Sequence, residues 1–326
     1  MGTAKSFKVF LGIILAVSFT MLIAPFHPVQ AQAGCTKSWI GGALPDPSAW
    51  QDAANWSPGI LLPTSTDDVC INSGPNVVLK GHGYAKTVTI GAGRTLWLQS
   101  SDTDAYGILT VANSLSNAGV IRIETTSVSN FASELATGTL TNTGTINVNV
   151  GTADGPRNIY ANLDNQGTIN INANATLSKA SGVYTNTGTI NIAALKTLTV
   201  RNGIFPSGTG TFNQNGGTLA VNGTFDGYIL TLNHNGGGIS GSGSLRLSSS
   251  TLNLLTGGDI GPTVSLIASN LNIGAAATGA AAFIWNGSGN YSGTLSSGQT
   301  LWLQSTPTNA HAILTAANSF INAGVI

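Results

Sequence analysis

The sequence predicts an all-β fold, a parallel β-helix (β-solenoid) whose coils stack along one axis. Three observations carry this. The segments 115–123 (LSNAGVIRI), 140–148 (LTNTGTINV), 163–171 (LDNQGTINI) and 184–192 (YTNTGTINI) repeat one frame, with its Asn at Asn117, Asn142, Asn165 and Asn186. Self-similarity at that period means stacked units rather than a closed globule. Short β-prone runs such as Thr87-Val88-Thr89-Ile90, Leu96-Trp97-Leu98 and Ile108-Leu109-Thr110-Val111 are punctuated by Gly, Asn, Ser or Asp. Beyond Ala33, no window carries helical periodicity.

The elements follow in order. Residues 1–33 have the layout of a secretory signal peptide: basic Lys5 and Lys8, an apolar run from Val9 to Ala24, and Ala31-Gln32-Ala33 as a small-residue cleavage site. That apolar run is short of the roughly 20 residues that span a bilayer. The mature chain is therefore expected to hold no integral membrane segment. An uncleaved anchor, or lipidation of Cys35, is the alternative reading of this end.

Residues 34–75 form a module of their own, with Trp39, Trp50, Trp56, five prolines and both cysteines. A solenoid end exposes unpaired strands and an apolar core, so an atypical end unit is expected. The tryptophans are read as packing over the first coil in preference to binding a sugar. Cys35 and Cys70 are the only cysteines. In an exported chain they are expected to form a disulfide, two free thiols being the alternative.

Residues 76–255 are read as the coils proper. Alternation points Ile146, Val148, Ile169, Ile171, Ile190 and Ile192 inward, with Asn147, Asn170 and Asn191 outward. Gly119, Gly144, Gly167 and Gly188 fall at a turn where positive φ or close backbone approach excludes a Cβ. Asn117, Asn142, Asn165 and Asn186 precede them. Stacked one strand spacing apart, they are expected to form an amide ladder.

Residues 256–300, rich in Ala and Gly, read as degenerate coils or a spacer. Residues 301–326 then repeat residues 96–121 at 18 of 26 positions, Leu301 answering to Leu96. They read as the start of a second block, and the chain as a fragment of a longer repeat protein.

Charge narrows the function classes. From Gly34 onward the chain has 10 basic and 12 acidic side chains, a formal charge of −2. No basic patch is present to hold phosphates, so nucleic acid is not an expected partner. The acids Glu124, Glu134, Asp154 and Asp164 occupy different places in the repeat frame. A carboxylate pair for glycoside chemistry is not evident from that spacing. Asp102 and Asp104 share a strand or loop, but Pro307 and Asn309 stand at their positions in the duplicate. Glu134 and Arg157, one local coil apart, are read as a cross-coil ion pair. His82, His234 and His311 are isolated, and Asp67-Asp68 reads as a cap turn in preference to a cation site. No metal or cofactor is expected. The row Thr145, Thr168, Thr189 begins at Val120 and borders the irregular row Ala118, Thr143, Gln166, Thr187. It is read as strand preference, not ice recognition.

The leader, the module WxxAxNW followed by DDV, and the L-x-N-x-G-x-I repeats together resemble large bacterial secreted β-solenoid proteins. These are the adhesin-like, filamentous-haemagglutinin-like and autotransporter-passenger-like proteins. The resemblance spans nearly all of the mature chain. It implies a secreted or cell-surface, non-catalytic repeat scaffold of adhesive role, with glycans or host cell-surface ligands as partners. A polysaccharide-active β-helix enzyme, lyase or glycoside hydrolase, is the alternative. A stalk for a domain outside this chain is a further one.

Overall fold

The computed structural model describes residues 34–326, apart from 60, 127, 153, 204–207, 308–309 and 317–320. The leader, residues 1–33, lies outside the described residues. The chain is all-β and winds through a β-solenoid of about 11 turns. The coils build three parallel faces; the first is reduced to the isolated bridge Ile239–Ile260 between Thr251–Leu254 and Thr263–Ile267, and has no strand between Asn270–Ile273 and Ala281–Leu295. The first face runs through Thr95–Ser100, Val120–Thr125, Thr145–Asn149, Thr168–Ile171 and Thr189–Ile192. The second runs through 107–111, 133–137, 157–160, Ala175–Ser178, Thr197–Arg201, Thr224–Tyr228 and Ser244–Ser248. The third includes 114–117, 139–142, 162–165, Val183–Asn186, 210–215 and 230–235.

Strict in-register pairing follows from the alternation. A slip of a single position would turn every inward Ile or Leu to solvent. Ile121, Ile146, Ile169, Ile190 and Leu219 therefore stack as one column, and all are buried. The core is the line of such columns inside the coil.

The glycine column explains the turn. A Cβ at Gly144, Gly167 or Gly188 would lie 2.1 Å from the carbonyl oxygen of the glycine one coil earlier. Close backbone approach therefore selects glycine here; the left-handed conformation is not used. Beside it, the Asn117 amide donates to Asn142 Oδ1 at 2.7 Å. Asn142 donates to Asn165 and Asn165 to Asn186, each at 2.7 Å. Each of these amides also donates to the carbonyl of the Thr opening the next coil's first-face strand, Thr145, Thr168 or Thr189. All four asparagines are fully buried, so the ladder satisfies groups that would be costly left alone. The column continues where the Asn spacing ends: Asn186 donates to Gln214 at 2.8 Å, and His234 lies in register after it.

The N-terminal module closes one end of the coil. Lys37–Trp39 pairs antiparallel with Trp56–Ser57 and parallel with Asp68–Ile71, which leads into the third face. Trp56 packs edge-on against Trp39 and Trp50, with ring centroids 5.0 and 4.7 Å apart. Two of the indoles bond locally: Trp56 donates to the Trp50 carbonyl and Trp39 to that of Pro75. All three are buried, and Trp50 sits against Leu79 and Gly83 of the first coil. Cys35 and Cys70 are disulfide-bonded, with Cα atoms 5.9 Å apart.

Residues 256–300 contain coils: Thr263–Ile267, Asn270–Ile273 and Ala281–Leu295 pair in register with their predecessors. Their Ala and Gly content reflects tight packing, since a Cβ at Gly279, Gly289 or Gly293 would meet backbone oxygen at 1.8–1.9 Å. The duplicated block then enters one face out of step. Its first copy places 96–98 on the first face and 107–111 on the second. Its second copy places Gln299–Leu303 on the second face and Ala312–Ala316 on the third. The coils have tightened in between. Asn117, Asn142, Asn165 and Asn186 bond across separations of 25, 23 and 21 in sequence, but Asn233, Asn253 and Asn272 across 20 and 19. Shorter coils bring near-identical sequence round to a new side.

Candidate functional site

A step in coil size builds the most distinctive surface feature. The corner between first and second faces is long in the early coils, running from Thr125 to Ser133 and from Asn149 to Arg157. It shortens to the stretch between Ile171 and Ala175. At the foot of this step lies an open notch of about 260 Å³. Asp154, Asn158, Asn174, Thr176, Thr197 and Thr199 line it with polar side chains, and Gly155, Pro156 and Arg157 complete its wall. Asn158, Thr176 and Thr199 are successive register partners on the second face.

Arg157 is buried at 2 % exposure and braces the wall, donating from Nη1 to the Gly155 carbonyl at 2.9 Å. Burial pulls its guanidinium pKa down, and the carboxylates of Asp154 and Glu124 oppose that shift. The expected pairing of Glu134 with Arg157 is not what the register makes. Ser133 faces Arg157 and Glu134 faces Asn158, whose amide donates to the carboxylate at 2.6 Å. The difference is a single step of register, which moves a side chain from the outer face to the interior. Tyr160, one outward position further on, has its phenol pKa raised by burial and by Glu134.

Towards the N-terminus the same corner carries aromatic rings. His82 and Tyr106 stand 5.8 Å apart, and Tyr106 and Phe131 5.2 Å apart. Tyr106 is 41 % exposed. The backbone stacks Tyr106, Ala132 and Pro156 at equivalent places on successive coils, through bonds from the amides of Gly81, Gly107 and Ser133. Gly155 fits against the Phe131 backbone, so the wall of the notch abuts the segment that carries the last ring.

The other acids of the cap and coils are engaged in the scaffold. Glu124 accepts from Arg122, whose guanidinium lies 4.2 Å from the centre of the Trp97 ring. Asp226 takes a bidentate pair from Arg246 one coil on, at 2.8 and 2.9 Å. Asp67 accepts from Thr36 and Thr64 within the cap, and Asp68 from Thr87 and Lys86 of the first coil. Among the described residues no three His, Cys, Asp or Glu side chains group as metal ligands.

Of the residues singled out in the sequence, Asp154 and Arg157 reach the notch, while the disulfide, ladder and turn residues lie elsewhere. Cys35 and Cys70 hold the cap, and Asn117, Asn142, Asn165, Asn186 and the glycines beside them line the buried turn. Surface ladders escape the sequence reading. Asn191, Asn170 and Asn147 bond in series on the first face. Asn272, Asn253, Asn233 and Asn213 do so on the third, at 2.7–2.9 Å. The third-face series lies where the coil spacing shortens, and its signal is Thr-x-Asn at 211, 231 and 251. The notch depends on corner lengths, which become readable only once the faces are assigned.

No family model matches this chain, and no curated protein or solved structure is significantly similar to it.

Proposed function

We propose that this chain is a non-catalytic, secreted or cell-surface repeat scaffold with an adhesive role. The observation that carries this reading is the exterior: long in-register faces of Thr and Asn whose amides bond from coil to coil. Such a surface is rigid, weakly charged and rich in hydroxyl and amide groups. It offers a partner many small polar contacts at little cost in ordering. The Cys35–Cys70 disulfide supports an oxidising compartment, as does the signal-like leader. Among the described residues no helix is long and apolar enough to cross a membrane. The resemblance to secreted adhesin-like solenoids agrees with this reading.

The test is retention of protein-coated beads on polysaccharide-coated or cell-coated surfaces under flow. Retention above that of beads carrying an unrelated β-solenoid is the expected result. Equal retention, or release of reducing ends or unsaturated uronate from a glycan panel at enzymic rates, would overturn it.

A further inference from the structure

We infer that the aromatic corner and the notch form one binding track for neutral oligosaccharide; this rests on the adhesive reading above and names its ligand class. Two observations meet here. Rings of His82, Tyr106 and Phe131 follow one another along the solenoid axis at 5.8 and 5.2 Å. His82 and Tyr106 are solvent-exposed and Phe131 is half-buried. Directly beyond them, past Pro156, the notch presents the amides of Asn158 and Asn174 and the hydroxyls of Thr176, Thr197 and Thr199.

Sugar chemistry matches this division. A pyranose has an apolar C–H face that packs on a ring, and a rim of hydroxyls that both donate and accept. Asn and Thr side chains also do both. The track covers about five coil steps, from His82 to Thr199. At ~4.8 Å per step it is roughly 24 Å long, enough for several sugar units in an extended chain.

Charge selects among glycans. Among the described notch residues the exposed charge is the Asp154 carboxylate, and Arg157 is buried behind the wall. Glu134 adds a second carboxylate beside Asn158. Lys196, beside Thr197, and Arg201, the next outward position after Thr199, offset these two carboxylates, so the track carries no net positive charge to favour an anionic glycan. A neutral one needs none.

The floor is also pre-organised. Asn158 is held by Glu134, and Thr176 and Thr199 sit on paired strands. Little side-chain freedom remains to be lost on binding.

The experiment is affinity electrophoresis of the full chain in native gels containing soluble mannan, mixed-linkage β-glucan, galactan or polygalacturonate. Two variants accompany it. Tyr106→Ala removes a ring, and the pair Thr197→Val and Thr199→Val removes two hydroxyls without changing volume much. Circular dichroism and urea midpoints establish that each is folded. Retardation in a neutral gel, weakened about tenfold in apparent affinity by Tyr106→Ala and reduced by the valine pair, supports the track. Retardation by polygalacturonate alone overturns it. Equal retardation of wild type and both folded variants overturns it too. So does no retardation in any gel, and bead retention then judges the adhesive reading separately.

Discussion

Asn165 shows what one side chain does in this coil. Its amide donates to Asn186 at 2.7 Å and to the Thr189 carbonyl, while its oxygen accepts from Asn142. Ala in its place would leave neighbouring buried amide groups without partners. We expect Asn165→Ala to cost about 1–3 kcal/mol in urea unfolding, where Asn170→Ala on the half-buried outer ladder costs under about 1 kcal/mol. Equal costs would mean that the internal ladder is not special. His234 holds the same position two coils beyond Asn186, and there the sign of a pH effect can be worked out. Burial lowers its pKa, and the bond from Nε2 to the Gly237 carbonyl only partly opposes this. The unfolded state then binds the proton more readily than the folded one. This contribution to stability is present above the usual histidine pKa and is lost as pH falls below it. Gln214 makes the equivalent bond, from Nε2 to the Gly217 carbonyl at 2.6 Å. His234→Gln is therefore expected to reduce the fall in unfolding midpoint between pH 7 and pH 5. An unchanged slope would contradict the assignment.

At the scale of elements, the cap and the coils respond to different variables. Asp46, Asp67 and Asp68 all titrate below the usual carboxylate range. The Ser48 hydroxyl is the main cause for Asp46. Burial pushes Asp67 up, but hydrogen bonds from Thr64 and Thr36 outweigh it. For Asp68 the Thr87 hydroxyl leads and Lys86 follows. Depressed carboxylates stabilise the fold above their unfolded pKa, near 4, and that stability is lost as pH falls through the folded values. The fluorescence of Trp39, Trp50 and Trp56 should therefore change on acidification below about pH 4, and Asp68→Asn should shrink the pH-dependent part. A transition centred at pH 6 would point elsewhere. What was legible in the sequence also divides by element. The frame of residues 115–192 could be read because Asn, Gly and Ile recur together at nearly constant spacing. Beyond residue 210 the buried Asn becomes Gln214, His234 and then Leu254, while the coils shorten. Packing geometry survives there although residue identity does not. The notch was illegible for a different reason. It arises from corner lengths of neighbouring coils, and its residues lie outside the nine-residue frame that repeats through 115–192.

At the scale of the whole molecule, stability is a sum of coil and interface terms, so one face can change without refolding the next. The turned duplication fits this economy. The segment LWLQS packs inside the coil on the first face at Leu96 and Leu98, and on the second at Leu301. The interior asks only for alternate apolar residues, so the same segment serves on either side. Its outward residues, Trp97 and Trp302, consequently face different directions around the axis. The central claim is the parallel register that makes all this possible. It is tested most directly by spin labels on Arg122→Cys and Ser240→Cys, with the native disulfide retained. These outward positions are far apart in sequence but linked by the register 122–147–170–191–220–240. Five steps predict a single narrow distance on the order of 24 Å by pulsed electron paramagnetic resonance. A broad distribution, or a distance well away from this value, would contradict the solenoid.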